Sequence, residues 1–253
     1  VPSISYMFIA LLGIALCSGS AAAINQVIDR SADAAMNRTD KRPLPQGDIS
    51  PIHASIFALV IGFLGALILY IYVNTLTMYL TIASLIGYAF IYTVYLKRAT
   101  PQNIVIGGLA GAAPPLLGWT SMTNSIDAYS LLLVLIIFIW TPPHFWALAI
   151  YRKDEYAKES IPMLPVTHGV AFTKLQIVLY TIILFLVSLL PYIVLMSGVI
   201  YLISALVLST VFLYYSIKLY LGEGDEYAMK TFTYSIYYIF LIFIALLADH
   251  FIL

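Results

Sequence analysis

The chain has 253 residues, of which 62% are hydrophobic and 9% charged, with a formal net charge of +0. A soluble domain carries about 25% charged residues, so a water-soluble globule is excluded, and balanced charge gives no footing for a nucleic-acid partner. The one cysteine, Cys17, excludes an intramolecular disulfide and a cysteine metal cluster.

Mean hydropathy is +0.97, and the apolar residues come in eight long runs. In chain order these are residues 4–24, 52–73, 76–96, 104–121, 129–150, 172–192, 196–217 and 232–252. Each is near the roughly 20 residues that cross a bilayer as a helix. The runs are apolar on every face, which a membrane β-barrel with its period of two would not be. Backbone groups in lipid must pair within their own segment, so the spans are helices. The predicted fold is an all-α, polytopic transmembrane helix bundle forming one domain over residues 1–253.

All twelve Lys and Arg residues lie in or beside four connecting segments, 25–51, 97–103, 151–171 and 218–231. The intervening turns near Asn74, 121–128 and 192–195 hold none. The positive-inside rule makes the basic segments cytoplasmic. Both chain ends then face outside. The first residue is Val1, not Met, so the expectation is a bundle truncated at its N-terminus, with one upstream span missing.

The first basic segment places Asn25, Asp29 and Asp33 at i, i+4 and i+8. On a helix these fall within an arc of about 80°. Two carboxylates and an amide on one stripe suit Mg²⁺, which takes one or two carboxylates plus substrate phosphate oxygens. Like charges four residues apart repel, so something must offset them. A metal would, and so would Arg30 and Arg38 at a solvated helix end; spacing leaves both readings open. Arg38, Lys41 and Arg42 follow at once, as bases that could hold phosphate oxygens.

Lys97 and Arg98 add cations after the third span, where they could also be interfacial anchors beside Tyr92 and Tyr95. Gly107, Gly108 and Gly111 allow close helix approach. Pro114 and Pro115 should break the next helix at membrane depth. Further on, Asp154 and Glu155 form a second acidic cluster flanked by Arg152, Lys153 and Lys158. Two acidic clusters on one membrane face suggest opposing halves of one metal site. His144 lies inside a span, where an ionisable group is a functional candidate. The competing reading is a neutral histidine bonded to a carbonyl freed by Pro142 or Pro143, which should break the span there. Glu223, Asp225 and Glu226 read as a solvated turn. His53, His168 and His250 sit near membrane edges and carry no expected role.

Three blocks go further. NQVIDRSAD followed by MNRTDKRPLP (25–33 and 36–45) resembles the first signature of the UbiA-type intramembrane prenyltransferases. The RTxxRPLP tail (38–45), together with YLKRATPQNIVIGGLAGAAPPLLGW (95–119) and WTPPHFWALAIYRKDEYAKESIPMLP (140–165), is similar to the protohaem IX farnesyltransferases within that family. The resemblance runs from about Gly13 to the C-terminus. The family has nine transmembrane helices, and the resemblance implies that its first is absent here. Quinone-type relatives carry a DxxxD second motif, and here Tyr151 stands about where its first Asp would be. This leaves open which of Asp154 and Glu155 would hold metal.

The resemblance implies transfer of a farnesyl group from farnesyl diphosphate to a vinyl group of haem B, giving haem O for terminal oxidases. It implies Mg²⁺ as cofactor, held by Asn25, Asp29, Asp33, Asp154 and Glu155. Diphosphate would be held by Arg38, Lys41, Arg42, Lys97, Arg98, Arg152 and Lys153. Asp29, Asp33, Lys97 and Asp154 would be the catalytic set, with His144 in contact with haem. The implied partners are the lipid bilayer, both substrates, and a downstream haem A synthase or oxidase assembly factors. The implied location is a bacterial plasma membrane or the mitochondrial inner membrane, with the site on the cytoplasmic or matrix face. Two alternatives are a prenyltransferase acting on an aromatic quinone precursor and a cation transporter. A transporter would place its acids in mid-span, and these lie at span edges.

Overall fold

The computed structural model describes residues 3–36 and 39–252. In chain order the helices are α1 (Ile4–Ala35), α2 (Pro43–Gln46), α3 (Pro51–Tyr72) and α4 (Thr75–Ile86). A π-helical stretch, Gly87–Leu96, continues α4 into α5 (Lys97–Ala99). Then come α6 (Asn103–Gly111), α7 (Pro114–Thr123), α8 (Ala128–Tyr151), α9 (Lys153–Lys158), α10 (Leu164–Thr167), α11 (Val170–Ile193), α12 (Val199–Leu221) and α13 (Glu226–Ile252). Among the described residues, eight segments are long and apolar enough to cross a membrane. The protein is an integral membrane protein built of helices, as its composition requires.

Two spans depart from the expectation. The helix of the first continues to Ala35, well past the end of the apolar run at residue 24. Residues 25–35 contain neither Pro nor Gly to stop it, so the Asn25–Asp29–Asp33 stripe stands on a continuous helix. Pro142 and Pro143 do not break α8, which runs unbroken through them. Transmembrane helices tolerate prolines when neighbouring groups compensate. Pro114 and Pro115 do mark a break: α6 ends at Gly111, and α7 begins with proline in its first turn.

The chain divides into two compact units, residues 1–99 with 109–130, and residues 100–108 with 131–253. In the first, α1 and α3 cross on small residues. A Cβ placed on Gly65 would lie 2.7 Å from the Gly13 carbonyl oxygen and 2.8 Å from Cys17 Sγ. Ser20 Oγ donates to Ala58 O at 2.7 Å across the same crossing. Replacing Gly65 by Leu forces backbone against backbone. The expected result is a loss of about 1–3 kcal/mol, the usual cost of overpacking, seen as a lower unfolding temperature in detergent. An unchanged midpoint would mean the helices are free to separate.

In the second unit α11, α12 and α13 pack around Leu184, Tyr201, Phe212, Tyr238 and Ile242. The buried phenols are satisfied: Tyr201 donates to Ser188 O at 2.8 Å, and Tyr238 OH lies 2.5 Å from Ser188 Oγ. Both ends of α12 are capped by buried charges from other helices. Asp249 accepts from Gly198 N and from Tyr201 N at its start. At its end, Lys174 Nζ donates to Gly222 O at 3.0 Å and Gly224 O at 2.9 Å. Acid at the N-terminus and base at the C-terminus match the helix dipole.

Candidate active site

The first acidic stripe is buried and neutralised. Asp29 is 3% exposed and Asp33 5%. Lys97 Nζ lies 2.6 Å from Asp29 Oδ2, and Arg42 Nη1 lies 2.7 Å from Asp33 Oδ2. The offsetting charges are therefore Lys97 and Arg42. Arg30 is exposed and turns back to Val27 O at 3.1 Å. Arg38 lies outside the described residues. Two carboxylates against one ammonium and one guanidinium leave this group with no net charge.

Local structure explains how the bases arrive. Arg42 immediately precedes the first turn of α2, which Pro43 opens. Thr39 Oγ1 donates to Asp33 O at 2.9 Å, folding the chain back over the end of α1. Lys97 follows the π-helical stretch directly. Such stretches are rare and recur at functional sites. Asn25 completes the stripe by donating Nδ2 to Asp29 Oδ2 and to Thr93 Oγ1, both at 3.0 Å.

The donor set fits a hard cation. Asp29 Oδ1 is buried and has no hydrogen-bond partner. A buried unpaired carboxylate oxygen costs well over the roughly 1–3 kcal/mol of a neutral group, and a bound cation would remove that cost. Among the described residues no three His, Cys, Asp or Glu side chains converge into a cage. Mg²⁺ would then take its other ligands from phosphate oxygens and water, its ordinary habit. Asp40 Oδ1 is also buried and unpartnered. The sequence reading passed over Asp40, and a third acid within eleven residues of Asp29 was the available signal. Lys41 and Arg98 are exposed.

In the second unit α8 ends at Tyr151, and the backbone turns at Arg152 before α9. The helix is not continuous from His144 to Asp154. Arg152 Nη1 lies 3.2 Å from Glu155 Oε2, Asp154 is exposed, and Lys153 is half-buried. His144 is 7% exposed. Its ring lies between Trp140 and Phe232, with centroids 4.3 and 4.6 Å away, and Phe145 meets it edge-on at 4.9 Å. His144 Nδ1 is 2.6 Å from Ser235 Oγ, not on a carbonyl freed by the prolines. With the Ser235 hydroxyl hydrogen on Phe232 O, 2.5 Å away, the imidazole would donate from Nδ1 and keep a lone pair on Nε2. Trp146 Nε1 is buried without a partner.

Comparison with known proteins sets this site in context. A family model described as the UbiA prenyltransferase family matches residues 1–247. The chain is 63% identical over 242 residues to "Protoheme IX farnesyltransferase 1" of Pseudomonas fluorescens (strain Pf0-1), spanning 96% of this chain and 81% of that protein. It is 59% identical over 252 residues to "Protoheme IX farnesyltransferase" of Methylococcus capsulatus, spanning 100% of this chain and 85% of the other. Its fold matches a structure from work on digeranylgeranylglyceryl phosphate synthase, with a TM-score of 0.82 at 18% identity over 100% of this chain and 88% of that one. It also matches a UbiA homolog from Archaeoglobus fulgidus bound to GPP and Mg²⁺, with a TM-score of 0.63 at 16% identity over 96% and 88% of the two chains.

Proposed function

We propose, on the premise that this chain belongs to the UbiA prenyltransferase family, that it transfers a farnesyl group from farnesyl diphosphate to a vinyl group of protohaem IX, giving haem O and diphosphate. The observation that carries the substrate choice is 59–63% identity to relatives named for that reaction. Those names disfavour a quinone precursor as acceptor. What supports the chemistry is the buried acid and base group on the first unit.

Breaking the allylic C–O bond leaves negative charge on diphosphate and positive charge on the farnesyl chain. Lys97 and Arg42 would share the diphosphate charge, with Arg38, Lys41 and Arg98 as further phosphate contacts. Asn25, Asp29 and Asp33 would hold Mg²⁺ there, and Asp154 and Glu155 are the metal-holding candidates of the second unit. Mg²⁺, when bound, neutralises the leaving group as a Lewis acid. Arg152 and Lys153 are proposed phosphate contacts. The apolar spans supply a water-poor setting for the cation until the vinyl group captures it, and water must then add to complete the hydroxyethylfarnesyl group.

The clustering of Lys and Arg in four connecting segments supports chemistry at the cytoplasmic or matrix side, in a bacterial plasma membrane or the mitochondrial inner membrane. The product suits a downstream haem A synthase or oxidase assembly factor. His144 is the proposed haem contact, because its Nε2 lone pair is the form that binds iron. The test is to incubate purified protein with haem B, farnesyl diphosphate and Mg²⁺ and to look for haem O by mass. Absence of product while a quinone precursor is prenylated overturns the reading. A Soret titration on His144→Ala completes it: an unshifted band at unchanged haem affinity would make His144 a packing residue.

A further inference from the structure

Thr93 belongs to none of the sites expected from the sequence, yet it is 2% exposed and its hydroxyl links two elements. Thr93 Oγ1 donates to Tyr88 O at 2.8 Å, five residues back. The π-helical register of Gly87–Leu96 provides that acceptor; in an α-helix the hydroxyl would return to the carbonyl four residues back. The bond uses the only hydrogen the hydroxyl has. Toward Asn25 Nδ2, 3.0 Å away, Thr93 can therefore only accept. The other hydrogen of Asn25 Nδ2 goes to Asp29 Oδ2 at 3.0 Å.

The orientation of the Asn25 carboxamide follows from this chain of bonds. Turned over, its oxygen would face a carboxylate oxygen and a hydroxyl with no hydrogen left to give. With both amide hydrogens committed, Oδ1 is the atom of Asn25 left to face a cation. We infer that Thr93 is a positioning residue: through the π-helical turn it holds the Asn25 carbonyl oxygen in the orientation a metal–diphosphate site needs. The inference rests on the metal-holding role of Asn25 and Asp29 proposed above.

Valine at this position keeps the branched shape and removes the acceptor. One of the two restraints on Asn25 is then lost, and its nitrogen can take the place of its oxygen. Groups that orient a metal's ligands typically contribute about 10–100-fold to metal affinity. The experiment measures Mn²⁺ binding by EPR in the presence of inorganic diphosphate, for wild-type protein, Thr93→Val and Thr93→Ser, with thermal unfolding of each. The expected result is Mn²⁺ affinity reduced about tenfold or more in Thr93→Val and restored in Thr93→Ser, with unfolding midpoints close together. Unchanged affinity in Thr93→Val overturns the positioning role and leaves the metal reading standing. A loss that Thr93→Ser does not restore, with both variants less stable, also overturns it and makes Thr93 a packing residue. If wild-type protein binds no Mn²⁺ with diphosphate, the metal reading itself fails and the role of Thr93 goes with it.

Discussion

Asp29→Ala and Asp33→Ala should each reduce prenyl transfer about a thousandfold or more, since a metal contributes several kcal/mol at the departing charge and each factor of ten is about 1.4 kcal/mol. Both acids are buried beside bases. Removing either one therefore does two things: it takes away a proposed metal-holding oxygen, and it leaves a cation without its partner. The second effect lowers stability and must be separated from the first. Asp29→Asn and Asp33→Asn do this, because an amide oxygen still accepts from Lys97 or Arg42 while the charge that attracts metal is gone. Haem O formation is followed as Mg²⁺ is raised to saturation, with unfolding midpoints measured alongside. Loss of turnover in the Asn variants at near wild-type stability supports the metal role. Near-normal turnover at saturating Mg²⁺ in any of the four variants would sink it.

The spans were legible because bilayer thickness imposes a length and lipid imposes uniform apolarity, both local properties of the chain. The stripe of Asn25, Asp29 and Asp33 was legible for the same reason, since helical periodicity is local. What neutralises the stripe was not. Lys97 stands 68 positions from Asp29 along the chain, and nothing in the sequence distinguishes it from Arg98 beside it, which is exposed. The π-helical register that precedes Lys97 leaves no mark in GYAFIYTVYL. The expected crossing glycines, Gly107, Gly108 and Gly111, were only partly informative. A Cβ on Gly108 would lie 3.0 Å from Thr141 Cγ2, one on Gly111 would meet open space, and among the described glycines the closest approach to another backbone is that of Gly65 to Gly13. Small residues mark where helices can meet, and partners separated by fifty residues are chosen by the whole fold. The effect of Pro142 and Pro143 was misjudged for a related reason. A proline deletes one backbone bond, and whether the helix breaks depends on what its surroundings supply.

Lys97 should give two measurements of opposite sign. The group formed by Asp29, Asp33, Lys97 and Arg42 carries no net charge. A lone divalent cation approaching it meets two carboxylates already paired and two positive groups close by. At an effective dielectric of about 20, each unit charge about 4 Å away is worth about 4 kcal/mol, so the ammonium opposes metal binding strongly until diphosphate brings negative charge of its own. Lys97→Met removes that opposition. It also leaves Asp29 buried without its base, a change that costs about 3–5 kcal/mol when a buried pair loses one member. Mn²⁺ without diphosphate should therefore bind the variant more tightly than wild type and raise its unfolding midpoint by more. Turnover should move the other way. Loss of one donor placed at developing negative charge costs about 10²–10³-fold in kcat, and the proposed role puts the ammonium on diphosphate as the C–O bond breaks. Lys97→Arg should recover only part of the rate, since a planar fork does not occupy the place of a point charge. If Lys97→Met instead binds Mn²⁺ no better than wild type while turning over normally, the 2.6 Å pair with Asp29 is a structural strut and the diphosphate is held by other bases.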